Sequence, residues 1–385
     1  MSSGDRHFPR GTTILLGLAA ATVTAIGISG IRGILAPVLL TLILTICANP
    51  VRTALLKRGV PGGIATGSVI LVVFGLLAAF TYTIIIAFAQ FVSMLPNYAI
   101  QFEQIGASIG RALTRIGIDP AQVHAVEQGI SPSNIAALVT GALGSVVGIT
   151  ASLVIVLTMM ILMAADAVYA RTILAQLAQR RPDLVAAVDQ YASGVRRYMV
   201  VTTGLGIVQG ALNSVALLIM QVPAALLWGL LAFLCSFIPN VGYFFAIAPP
   251  IVFGFLVGGW PTVIAIVIVY GIINAVVQSV IQPRVVGHAV SLSQTMTFFS
   301  VLFWAVIMGP IGAILAIPLT LLAKMVLIDS DPKAHWWRPA VGPTQETREM
   351  LKAAEIVAKI ERREHRDVSR QGRSMPPAEP PPMGP

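Results

Sequence analysis

The chain has 385 residues, 56% of them hydrophobic and 11% charged, with a net charge of +9 and a mean hydropathy of +0.84. So little charge cannot cover a soluble protein of this length, and the apolar residues fall in runs of the roughly 20 helical residues that cross about 30 Å of hydrocarbon. Taken alone, the positive charge would suggest nucleic acid, but the basic residues occupy short connections and a C-terminal tail. That distribution records membrane topology and contact with anionic lipid, so lipid and not nucleic acid is the expected partner. The composition specifies an all-α, polytopic transmembrane protein.

In chain order, residues 1–10 form a basic N-terminal flank, and the apolar run behind it is longer than the core of an export signal, which predicts a retained first helix. Spans are expected at 11–31, 34–50, 64–90, 145–168 and 199–220. Further candidate segments lie at 222–238, 243–259, 262–282 and 296–325. Short connections rich in Lys and Arg prefer the cytoplasm. Arg6 and Arg10, the group Arg52, Lys57 and Arg58, and the group Arg171, Arg180, Arg181, Arg196 and Arg197 therefore place the N-terminus, the 51–63 loop and residues 169–198 inside. Residues 91–144 then lie outside.

That outer segment spaces Ile105, Ile109, Leu113 and Ile116 by three or four residues, which predicts one apolar stripe on an amphipathic helix. The inner segment 169–198 is a helical connection divided at Pro182, because proline removes a backbone donor and disfavours helix just before it. Past Lys324 the tail carries ten Lys or Arg and nine acidic residues and ends in a proline-rich stretch. This charged, proline-rich region, 328–385, is expected in the cytoplasm. Treating every late segment as a full span gives nine crossings and puts the C-terminus outside, against that charge. An even count follows if 222–259 enters and returns, or if 296–325 folds back near Gly309 and Pro310.

The C-terminal half, 199–327, combines its hydrophobicity with helix breakers. Candidate breaks or hinges are Pro239, Gly242, Pro249, Pro250, Pro283, Gly287, Gly309, Pro310, Gly312 and Pro318. In hydrocarbon an unpaired backbone group is costly, so broken or re-entrant helices belong where protein or an aqueous cavity covers them. The polar side chains nearby are Gln209, Asn213, Asn240, Asn274, Gln278 and Gln282. The last three recur every four residues, which places them on one face of a continuous helix, where they would line a polar path or bond between helices. Amides both donate and accept, which suits a neutral polar solute.

No Asp or Glu stands at the centre of a candidate span, which puts ion-coupled transport second. Metalloprotease, Walker and nucleophile-elbow motifs are absent, so no enzyme activity, metal or cofactor is expected. Cys47 and Cys235 read as two small apolar-site thiols. A non-transport scaffold that binds partners through the amphipathic outer segment and the charged tail is a second functional class.

The stretches LLWGLLAFLCSFIPNVGYFFAIAPPIV and VIQPRVVGHAVSLSQTMTFFSVLFWAVIMGPIGAILAIPLTLLAK resemble the AI-2E family of bacterial inner-membrane transporters, also called PerM-like, over roughly residues 11–327. The similarity rests on the break at Pro239, Asn240 and Gly242, on Gln282-Pro283 followed by Gly287, and on the Gly309, Gly312 and Pro318 series. The chain departs from the family at Tyr243, where many members have proline, and at Gln294 after Leu292-Ser293. The resemblance implies a multispanning permease or exporter of a small solute, with autoinducer-2 as the substrate of some members and cation/proton exchange the activity of others. It also implies a homo-oligomer.

Overall fold

The computed structural model describes residues 10–129, 132–239, 241–281 and 292–342, together with 347, 349–357 and 359. Among them every regular element is helical. The helices are α1 (Arg10–Gly30), α2 (Arg32–Lys57), α3 (Gly62–Met94), α4 (Ala99–Arg115), α5 (Pro120–Gly129), α6 (Pro132–Arg180), α7 (Pro182–Ile219), α8 (Ala225–Cys235), α9 (Gly242–Asn274), α10 (Gln294–Ile314), α11 (Ala316–Lys324) and α12 (Arg338–Val341). By length and composition, α2, α3, α7, α9 and α10 can each cross a bilayer, and α6 makes a sixth if the parts on either side of its 66° bend form one span. Large apolar side chains such as Leu71, Leu76, Ile207 and Val215 stand exposed on these helices, as a hydrocarbon solvent requires.

α2 carries two internal prolines, Pro37 and Pro50. Pro50 has no N–H, so the carbonyl four residues back, on Ile46, loses its helical partner. Arg196 of α7 supplies one, its Nε donating to the Ile46 oxygen at 3.1 Å. A bond that α2 cannot make with itself therefore ties it to α7.

α3 leads through a 3₁₀ turn, Leu95–Tyr98, into α4 and α5, which pack on each other. The buried positions of α4 are Phe102, Gly106 and Gly110, whereas Ile109 and Ile116 are exposed. The expected isoleucine-leucine stripe is thus displaced by about one position. The buried face combines one aromatic, Phe102, with two glycines, so a search for large aliphatic residues finds the flank instead. Arg180 ends α6 and Pro182 begins α7, whose 38 residues span about 57 Å and must project well beyond a bilayer core.

The late half is built from helices that turn back. After α7 the chain reverses through Met220–Ala224, where Gln221 and Ala224 adopt left-handed backbone, and α8 returns along α7. Their crossing is glycine-lined: a Cβ on Gly210 would lie 2.7 Å from the Gly229 oxygen, and one on Gly229 would overlap the Ser214 hydroxyl. α8 has only 11 residues, about 16 Å, too short to cross. A tight turn begins at Ser236 ahead of α9, with Gly242 packed against the Cys235 carbonyl so closely that a Cβ would strike it.

α9 stays helical through Pro249 and Pro250; it leaves helical geometry at Gly259, with φ 64° and ψ −153°. Those prolines do not break the helix because their fixed φ is helical and the cost is confined to the carbonyls they leave unpaired. At Gly259 the chain doubles back, so that Gly254 of the first arm abuts Ile266 of the second. The second arm ends in a π-helical segment, Ala275–Ile281. α10 repeats the device. Gly309 has φ 69° and ψ −152°, and Trp304 Nε1 donates to Thr320 Oγ1 at 3.0 Å across the fold. Pro310 follows the bend, Gly312 packs on the Trp304 carbonyl, and Pro318 lies in the first turn of α11, where a missing N–H costs little. The chain thus bends sharply at Gly259 and at Gly309, beside the two places where the sequence allowed a foldback.

Among the described residues two large apolar cores result, with a small third cluster of Ala232, Cys235 and Ala246. One joins Phe91 and Leu95 of the α3 exit, Phe102, Leu217, Trp228, Phe253, Ile266 and Tyr270. At its centre Phe253 meets Phe91, Tyr98 and Phe102 edge-on and stacks on Trp228. The other joins Ala36 and Ile43 to Tyr191, Val195, Ile307, Leu315 and Leu319.

Candidate functional site

α7 presents one buried face that includes Tyr191, Val195, Tyr198, Thr202, Gly206, Gln209, Asn213 and Leu217, the three- and four-residue spacing of a helix packed along its whole length. In soluble proteins such a stripe is apolar; here it carries hydroxyls and amides. Tyr198 donates to the Phe237 carbonyl at 3.4 Å, beside the turn that joins α8 to α9.

Midway along this face, Gln209 Nε2 donates to Asn274 Oδ1 of α9 at 3.4 Å. Ser236, just past α8, donates toward Gln209 Oε1 at 3.3 Å and also bonds the Ala232 carbonyl at 2.8 Å. These are long hydrogen bonds, so the amides are tethered weakly. α7 and the second arm of α9 run antiparallel, with Gln209 opposite Asn274. Asn213 stands one turn further along α7, and Tyr270 one turn earlier in α9. Both are fully buried, at 1% and 2% exposure, and neither the Asn213 amide nor the Tyr270 hydroxyl has a hydrogen-bond partner. Buried polar groups are nearly always paired, because leaving one unpaired costs about 1–3 kcal/mol. Both lie on helices joined by the Gln209–Asn274 bond, and each leaves a polar group unsatisfied.

The seam is closed on one side by α8 and the start of α9. Gly206 faces Phe233 and Ser236, and the Tyr243 hydroxyl lies against Gly271. Of the residues singled out from sequence, the structure brings Gln209 and Asn274 together, with Asn213 one turn further along the same buried face of α7. Gln278 falls within the π-helical segment, and among the described residues its side chain bonds to none of the amides of the seam. Asn240, Gln282, Pro283 and Gly287 lie outside the described residues. Pro239 and Gly242 sit in the turn that positions Ser236, while Gly309, Pro310, Gly312 and Pro318 shape the α10–α11 hairpin remote from the seam.

Sequence reasoning missed Tyr270 and Ser236. Tyr270 stands four residues before Asn274, so the helical spacing that grouped the amides would have found it had hydroxyls been included. It also passed over Asp329. That carboxylate is buried just past α11 and receives Lys324 Nζ at 2.7 Å and Arg338 Nε at 2.9 Å. Cys47 and Cys235 are both free, and among the described residues no group of His, Cys, Asp or Glu is arranged to hold a metal ion.

Long apolar helices, two of them folded back on glycine, around a buried uncharged polar seam define a multi-pass membrane permease. The chain belongs to the AI-2E family transporters, whose pattern it matches over residues 13–330. It is 27% identical over 320 residues to the AI-2 transport protein TqsA of Escherichia coli K12, covering 82% of this chain and 92% of that protein. To "Putative transport protein YhhT" of the same organism it is 26% identical over 316 residues, 82% and 90% of the two chains. A similarly named protein of Haemophilus influenzae is 27% identical over 328 residues, 84% and 94%.

Proposed function

We propose that this permease passes a small, uncharged, hydrogen-bonding solute, of the autoinducer-2 kind, along the seam between α7, α8 and the second arm of α9. The observation that carries this reading is that Asn213 and Tyr270, on two helices joined by the Gln209–Asn274 bond, are both fully buried and unpaired. Solute hydroxyls that accept from the amide and the phenol and donate to the amide oxygen supply what they lack. The relative TqsA, named for AI-2 transport, supports the solute class. Cation/proton exchange ranks second. The seam contains no carboxylate, and the buried Asp329 is already neutralised by Lys324 and Arg338. The chain acts as a transporter and not as an enzyme.

The same reading sets the topology in the bacterial inner membrane. α8 with the first arm of α9 forms one returning pair, and α10 with α11 forms another. A returning pair brings the chain back to the face it left, so α1, α2, α3, α6, α7 and the second arm of α9 give an even count. Both termini then lie in the cytoplasm, in agreement with the basic 51–63 and 169–198 segments. Residues 91–144 form an extracytoplasmic helical cap over the aromatic cluster at Phe253. The protein works as a homo-oligomer, with its exposed apolar faces divided between neighbouring copies and lipid.

Reconstitution into sealed vesicles tests the assignment. Protein-dependent flux of neutral polyhydroxylated solutes, unchanged by imposed proton or sodium gradients, is the expected result. Flux that requires a gradient would move the assignment to antiport, and no flux across a broad panel would remove transport of this class. Labelling of cysteines introduced at 351 and 122 in intact cells tests the two faces, and detergent-free mass measurement gives the oligomer.

A further inference from the structure

The segment that follows α11 is more rigidly seated than a tail requires. A π-helical turn, Met325–Asp329, is followed by a 3₁₀ helix, Pro332–Trp337, and then by α12. Asp329 anchors it from below through Lys324 and Arg338, and His335 Nε2 lies 3.3 Å from the Asp329 carbonyl and 3.0 Å from Arg338 Nη2. Asp331 caps the 3₁₀ helix by accepting from the Lys333 N–H at 2.9 Å. At the far end, Ser293 N donates to the Val341 carbonyl at 3.1 Å, which fastens α12 to the entry of α10.

What this frame holds outward is a pair of tryptophans. Trp336 and Trp337 are 71% and 51% exposed, with ring centroids 4.5 Å apart. In a 3₁₀ helix side chains three apart eclipse, so the exposed Lys333 stands over Trp336. The charged trio at Asp329 fixes the depth. A carboxylate with two cations belongs at the edge of the hydrocarbon and not within it, and the tryptophans follow seven and eight residues later on a short, pinned segment. Indole rings with an apolar body and one N–H favour the headgroup level of a bilayer, and a lysine beside them adds attraction for lipid phosphate.

We infer that residues 332–338 form a lipid-recognition surface, in which Trp336 and Trp337 lie in the headgroup layer and Lys333 pairs with the phosphate of an anionic phospholipid. The occupant is the bilayer surface and not a soluble anion, because a free phosphate would give the two indoles nothing to bury against. The surface sets the rotation and depth of the α10–α11 hairpin, since its frame is bonded to both ends of that hairpin.

The test compares full-length protein with its Trp336→Phe/Trp337→Phe variant in nanodiscs, so that the difference spectrum reports only this pair. Brominated phosphatidylglycerol and brominated phosphatidylcholine serve as quenchers from the lipid, with acrylamide and inorganic phosphate in the aqueous phase. The expected result is a blue-shifted difference emission, quenched by either brominated lipid more than by acrylamide, and at least twofold more by the brominated anionic lipid. Lys333→Gln should weaken that preference, by up to about fivefold for a lysine at the surface, and leave the emission maximum in place. A red, acrylamide-quenched emission would overturn lipid contact. Equal quenching by the two brominated lipids would overturn the headgroup preference, and abolition of lipid quenching by inorganic phosphate would reassign the site to a free anion. None of these readouts depends on solute flux, so failure here is separable from failure of the transport reading.

Discussion

Replacing Asn213 with leucine should make the protein more stable and less active. The amide is 1% exposed, and both of its polar atoms are unpaired. Each buried unpaired group costs about 1–3 kcal/mol, and leucine removes both at once. Its extra volume, pressed toward the close α7–α8 crossing at Gly210 and Gly229, returns on the order of 1 kcal/mol or more of strain. At the low end of these ranges a net gain of about 1 kcal/mol remains, equivalent to roughly a fivefold or larger shift in the unfolding equilibrium. Asn274→Leu should do the opposite. It deprives Gln209 Nε2 of its only acceptor, a bond of the kind worth about 0.6 kcal/mol in membrane proteins, and leaves a buried donor unpaired. Reversible unfolding in mixed micelles measures the stabilities, and vesicle flux measures transport, which should fall in both variants. A loss of 1 kcal/mol or more in Asn213→Leu would show that the amide is bonded inside the protein and that the seam is an adhesive between helices. Wild-type flux in a stabilised Asn213→Leu would take the seam off the transport path.

Gly309→Ala and Gly229→Ala should both destabilise, for different reasons. The first meets no neighbour but holds a backbone conformation open essentially only to glycine, costing about 1–3 kcal/mol; the second overlaps Ser214 and also meets the Gly210 carbonyl at 2.6 Å, so Ser214→Gly should rescue it only in part and leave Gly309→Ala unchanged in unfolding measurements. Arg196→Met should cost about 1–2 kcal/mol by orphaning the Ile46 carbonyl, and Pro50→Ala should recover most of that in a double-mutant cycle, because alanine restores the helical N–H. Purely additive effects would sink the explanation. Asp329→Asn should lose about 3 kcal/mol, since Lys324, 10% exposed, would be left without its counter-ion. Thermal inactivation at matched detergent concentration reads that loss.

Membrane location and helical class were legible in composition alone, because nothing but lipid tolerates so many exposed leucines and valines. Gln209 and Asn274 were legible as rare amides in apolar helices. Their meeting was not, because it depends on the register of two antiparallel helices separated by 65 residues. The bends were only half legible. Pro249-Pro250 draws the eye but lies within continuous helix, whereas Gly259, in the sequence Gly-Gly-Trp-Pro, makes the reversal. A hydropathy window cannot see a reversal made by one glycine, since the apolar run continues unbroken on both sides. The displaced stripe of α4 has a related cause. Its buried face holds Gly106 and Gly110, which a search for bulk ignores.

The two glycine reversals also bear on how such a chain changes over generations. A single span gained or lost inverts everything that follows it, so that loops selected for one compartment face the other. A hairpin is neutral in that respect, because its two arms cancel and the downstream chain keeps its side. The α10–α11 unit, closed by Gly309, can therefore lengthen, shorten or be exchanged with little consequence for the tail beyond Asp329. Differences in length among relatives should accordingly concentrate in the paired arms, while the helices that carry the seam and set sidedness stay fixed in number.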